Sequence, residues 1–94
     1  MKPKITIQLL NIFRLELKKQ SVSYEGTNVG EVIKSFEHEY LDQLPSYLKS
    51  KDKKHLNKQI LILVNGANIN NMDGLNTSLD EGDEVQLSVP IIGG

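Results

Sequence analysis

Apolar and polar residues alternate at both ends of the chain, and a helical stripe lies between them. From Lys4 to Leu10, Ile5, Ile7 and Leu9 alternate with Thr6 and Gln8, which predicts a strand with its odd positions on the core face. Asn11 to Lys19 leaves three options open. Ile12, Phe13, Leu15 and Leu17 could extend the strand, start a hairpin or pack as a loop on the core, with Lys18-Lys19 as an exposed end. Gln20 to Tyr24 reads as a shorter strand with Val22 inward, and Glu25-Gly26 turns the chain out of it. Asn28 followed by Glu31 has the form of a capping box. Val29, Val32, Ile33, Phe36 and Tyr40 then recur at helical spacing along one stripe. Gly30 inside that helix costs about 1 kcal/mol against Ala, so it suggests close approach to a strand. The helix should fade over Leu41 to Leu44, because Pro45 disfavours αR at the residue before it. Leu44, Tyr47 and Leu48 are expected to tuck inward.

Lys49 to Lys58 is rich in lysine and poor in apolar residues, so it reads as an exposed loop. Ile60 to Val64 is apolar throughout, as suits a strand covered on both faces. Asn65-Gly66 is a tight-turn dipeptide, and Ala67 to Ile69 can form only a short return strand. Asn70 to Thr77 is a connection held by turn chemistry, with Leu75 and Leu79 as anchors. Asp80-Glu81-Gly82-Asp83 turns into the last strand, Val85 to Val89, which Pro90 ends because it has no N–H to give a sheet. Two hairpins thus flank one helix, which predicts an α+β roll of the β-grasp type. Its mixed sheet has four to five strands with one main helix on one face, and residues 1–94 form one domain.

Composition narrows the function. Net charge is −1 with no basic surplus, which argues against nucleic acid. No apolar run approaches the roughly 20 residues of a membrane span. Without cysteine there is no disulfide, thiolate metal site or Cys nucleophile. Together with the missing signal peptide, this leads us to expect a cytoplasmic protein. His38 and His55 have no clustered carboxylates for a metal, and Asp80, Glu81, Asp83 and Glu84 lack EF-hand spacing. Ser21 and Ser23 come with no His–Asp constellation. The Lys49–Lys58 run is read as a solvated loop, with steering toward an acidic partner as the minority reading.

Ile62-Leu63-Val64-Asn65-Gly66, Gly74-Leu75-Asn76-Thr77, Glu81-Gly82-Asp83-Glu84-Val85 and Gly93-Gly94 resemble the ubiquitin-like sulfur-carrier family. Its best-known members are the small subunit of molybdopterin synthase (MoaD) and the thiamin sulfur carrier (ThiS). The resemblance implies a β-grasp fold and a carrier, not an enzyme. It also implies a partner adenylyltransferase of the ubiquitin-activating type that uses ATP to adenylate the carboxylate of Gly94, and sulfur that then replaces AMP. By the same resemblance, the thiocarboxylate donates that sulfur to a synthase of the molybdopterin large-subunit or thiazole type. The resemblance further implies that Gly93, Ile92, Ile91 and Pro90 form a tail lying in the partner's groove. Val89-Pro90 and Ile91-Ile92 stand where the family often has Pro-Pro and a smaller residue. No tightly bound cofactor and no metal are expected on the chain itself.

Glycine suits such an end, because without Cβ the carbonyl is open on both faces. Leu61 and Leu63 are either sheet core or, if their face is uncovered, a partner patch beside the last strand that would include Ser88. Molybdopterin or tungstopterin-type synthesis is the leading destination for the sulfur, and thiamin is next. The alternatives are a modifier conjugated through Gly94 to target lysines and a plain β-grasp interaction domain.

Overall fold

A computed structural model describes residues 2–90. The elements are β1 (Lys4–Leu9), α1 (Ile12–Leu17), β2 (Ser21–Glu25), α2 (Val29–Tyr40), β3 (Leu61–Val64), β4 (Ala67–Asn68) and β5 (Glu84–Ser88). The five strands form one mixed sheet in the order β2-β1-β5-β3-β4. β1 and β5 run parallel at its centre, and all other pairs are antiparallel. This is the β-grasp roll expected, with the fifth strand present.

Alternation dictates which face is buried. Ile5, Ile7 and Leu9 of β1 and Val85 and Leu87 of β5 point into one core, where α2 adds Val29, Val32, Ile33 and Phe36. Phe13 meets Phe36 edge to face, with ring centroids 6.4 Å apart, a geometry that the ring quadrupoles favour.

Residues 12–17 are a helix, so neither the strand extension nor the hairpin is found. Asn11 (φ 52°) turns the chain sharply off β1, and Lys18 (φ 56°) closes the helix in the left-handed region. Between them Phe13 and Leu17, four apart, drop onto the core while Leu15 stays exposed. Leu9 N–H still donates to Gln20 O, so β1 and β2 pair antiparallel around this helical insert.

Asn28 caps α2 as expected, its Oδ1 accepting Glu31 N–H at 2.9 Å. Glu31 reaches back one residue further than the motif predicts, to the N–H and hydroxyl of Thr27, both at 2.6 Å. The Thr27 hydroxyl, the Thr27 amide and the Lys2 ammonium together lower its pKa to about 2. Gly30 does allow a close approach, but of a turn and not of a strand. A Cβ built there would lie 3.1 Å from the carbonyl oxygen of Leu75, in the 3-10 turn Gly74–Asn76.

Two expected anchors are exposed, Tyr47 and Leu75. Leu44 and Leu48 take the inward positions beside Tyr47, and near Leu75 it is Thr77 that is buried. Thr77 carbonyl accepts Val29 N–H, and its hydroxyl accepts Asp73 N–H, so a polar side chain can serve as the anchor.

The lysine-rich excursion is exposed but tied down. Leu56 is buried, and its N–H donates to Glu37 Oε2 at 2.8 Å while His55 Nδ1 pairs with Glu37 Oε1 at 3.2 Å. A two-residue bridge, Lys49 to Leu56, closes the loop. No described helix is long and apolar enough to cross a membrane.

Candidate functional site

Among the described residues, no helix packs on the reverse face of the sheet. Leu61 and Leu63 both stand on it half-buried, while Ile62 and Val64 turn to the core. The apolar run of β3 hides this alternation, so it does not mean that both faces are covered. The strands beside it reveal the arrangement: Leu61 pairs with Ser88 and Leu63 with Gln86, and Gln86 in turn pairs with Gln8 of β1. Two leucines therefore sit in an otherwise polar face. Leu61, Leu63 and Ser88 are brought together, as the patch reading requires.

Ser88 is held in place by Asn11, whose side-chain amide donates to Ser88 Oγ at 2.8 Å. Sequence reading missed this link from the start of α1 to the end of β5, and no local motif could signal a bond between residues so far apart. Beyond Ser88, Val89 is half-buried against the core and Pro90 is exposed. Val89 thus anchors the end of β5 to the core, and the exposed Pro90 is the last described residue. Ile91, Ile92, Gly93 and Gly94 lie outside the described residues.

The Lys49–Lys58 excursion precedes β3 and is tied to α2 through Glu37. The acidic turn Asp80–Asp83 lies at the opposite end of β5 from Ser88, and Asn65 secures it by donating from Nδ2 to Asp83 Oδ1 at 3.1 Å. Within the excursion, the Ser50 hydroxyl and the Lys54 N–H hold the Asp52 carboxyl below its usual range. On the helix side, burial and then the hydrogen bond to Glu39 raise the Tyr24 phenol, so it stays neutral. No group of His, Asp and Glu that could hold a metal occurs among the described residues.

Known proteins resemble this chain in sequence and fold. A sequence model of the ThiS family matches residues 7–94. The chain is 31% identical to small archaeal modifier protein 3 of Haloferax volcanii, over 97% of this chain and 99% of that protein. Among solved structures, small archaeal modifier protein 1 of Methanosarcina acetivorans superposes with a TM-score of 0.82 at 28% identity, covering 100% of this chain and 99% of that one. CysO of Mycobacterium tuberculosis superposes with a TM-score of 0.71 at 26% identity, covering 93% and 99%.

Proposed function

The chain belongs to the ThiS family, the ubiquitin-like sulfur carriers and modifiers, and on that premise we propose that it carries sulfur as a thiocarboxylate on Gly94. The observation that supports this reading is the end of β5: Ser88 pairs with Leu61, Val89 is anchored on the core, and Pro90, four residues before Gly94, is exposed. Family members are small carriers and modifiers and not catalysts.

A terminal carboxylate is ionised at neutral pH, with a pKa of roughly 3.3–3.7, and is a poor electrophile. A partner of the ubiquitin-activating type supplies the remedy with ATP: the carboxylate attacks the α-phosphorus, pyrophosphate leaves, and an acyl adenylate results. A persulfide on the partner then attacks the carbonyl carbon and expels AMP. A second thiol of the partner attacks the inner sulfur of the acyl persulfide, the one that belongs to the partner's own cysteine. The S–S bond breaks, a new disulfide forms on the partner, and the thiocarboxylate stays on Gly94. The nucleophilic sulfur is then presented to an accepting synthase, of pterin type first and thiazole type second. Through these steps the chain's own residues bind and orient. Leu61 and Leu63 give the partner apolar surface, and Val89 fixes where the tail begins.

A second reading is favoured by the two modifier proteins that match along nearly the whole chain. In it a target lysine attacks the same acyl adenylate, AMP leaves, and an isopeptide bond to Gly94 forms. Intact-mass analysis after co-expression with the activating enzyme tests the first reading, which expects one oxygen of the Gly94 carboxylate replaced by sulfur. A ladder of Gly94-dependent adducts on a denaturing gel, with no sulfur on the unconjugated protein, would replace the first reading by the second.

A further inference from the structure

The outer edge of β3 is only half covered. Asn65 (φ 50°) and Gly66 (φ 87°) form a tight turn that pairs Val64 with Ala67. Asn65 N–H points the other way, donating to Glu84 O of β5 at 2.8 Å. Peptide groups alternate sides along a strand, so Leu61 and Leu63 turn theirs toward β5, and Val64 and Ile62 toward β4. β4 satisfies only Val64, because it ends at Asn68. There the Asn68 side chain accepts Asn70 N–H at 2.8 Å and starts the 3-10 turn Ile69–Asn71. Among the described residues, no strand stands opposite Ile62.

That edge opens into a groove of about 1360 Å³ between α2, the lysine-rich excursion and the 68–75 segment. The volume exceeds the roughly 300–1,000 Å³ of typical small-molecule sites. Ile33, Ile60, Ile62, Ile69 and Leu75 line the groove, with Leu75 exposed. Its rim is basic, with Lys34, Lys49, Lys51, Lys53 and Lys58. None of these five forms an ion pair among the described residues. The two carboxylates at the rim are engaged: Glu37 by Leu56 N–H and His55, and Asp52 by Ser50 and Lys54.

We propose that this groove takes an extended acidic segment of a partner protein, with alternating apolar residues, which adds to the sheet at the edge of β3. The Ile62 peptide group supplies main-chain pairing, as in other cases of strand addition. Every second side chain of the segment enters the apolar groove, and its acidic flank meets the lysines. The surface lies on the opposite edge of β3 from β5. It is independent of Gly94 and of the Leu61–Leu63 patch, so its success or failure says nothing about the sulfur chemistry.

The test uses the full chain, isotope-labelled for NMR, titrated with a synthetic peptide of alternating Val and Ile followed by a run of Glu. We expect shifts at Ile62, Ile33 and Leu75, and slowed hydrogen exchange of the Ile62 amide. Leu75→Glu and the double charge reversal Lys49→Glu/Lys58→Glu should each weaken binding about tenfold or more, equivalent to roughly 1.4 kcal/mol. A proline in the peptide opposite Ile62 should abolish the exchange protection. Three results would overturn the proposal: shifts confined to Leu61 and Leu63, binding unaffected by both variants, or the same residues shifting with protein concentration alone through self-association.

Discussion

Leu61 faces Ser88 directly across the β3–β5 ladder, on the side of the sheet that no described helix covers. The strand that carries Ser88 is also the strand that releases the tail, so the apolar patch and the departure point of the chain are fixed to each other by backbone hydrogen bonds. A partner that grips Leu61 thereby fixes where Pro90 begins.

Replacing Leu61 and Leu63 by Ser should separate binding from folding. Both are only partly exposed, so the thermal midpoint should fall modestly while the chain stays folded. Losing about 50 Å² of buried apolar contact with the partner, at about 25 cal/mol per Å², should raise the activating enzyme's KM for this chain nearly tenfold with kcat unchanged. Steady-state kinetics reads this directly, and an unchanged KM would remove the patch from the account.

Phe36→Ala should behave in the opposite way. Phe36 is fully buried and touches Phe13 and Tyr40, and such truncations cost about 3–5 kcal/mol. For a small domain holding about 5–15 kcal/mol in total, chemical denaturation should show a large fall in midpoint.

Gly30→Ala tests the contact between α2 and the Gly74–Asn76 turn. Helix propensity alone predicts a gain of about 1 kcal/mol. The Leu75 carbonyl 3.1 Å from the new Cβ belongs to backbone, and Thr77 ties that turn to the start of α2, so the turn cannot yield freely. Urea unfolding should find the variant no more stable than the parent.

Glu31 makes stability depend on acidity in a defined direction. Its folded pKa is lowered to about 2, below the usual glutamate value of about 4.3. The folded state therefore binds this proton less readily than the unfolded state. The contribution is fully present above about pH 4.3 and is lost as pH falls toward 2. Glu31→Gln should flatten this part of the stability–pH curve, measured by denaturation across that range.

Much of the architecture was legible because it rests on local rules. The alternation in Lys4–Leu9, the Asn28 cap and the Asn65-Gly66 turn each determine their element from neighbouring residues alone. The α1 helix was not legible, because six residues with Ile12, Phe13, Leu15 and Leu17 fit several periods. What selects the helix is the left-handed backbone at Asn11 and Lys18 together with the place for Phe13 against Phe36. Tyr47 and Leu75 misled for a related reason: in short 3-10 turns, hydrophobicity does not say which side faces the core. The patch was visible only as a choice between two readings, since the uniform Leu61–Val64 run carries no face information until Gln86 and Ser88 are placed beside it. The open edge at Ile62 could not be read at all, because it depends on where β4 stops.

The central claim is that the carboxyl group of Gly94 is the reactive handle. Isotope exchange between pyrophosphate and ATP, catalysed by the activating enzyme of the same organism, tests it most directly because it reports formation of the acyl adenylate alone. The account predicts exchange that depends on the full chain and disappears when Gly94 is removed. Exchange that persists without Gly94, or none with the intact chain, would contradict it.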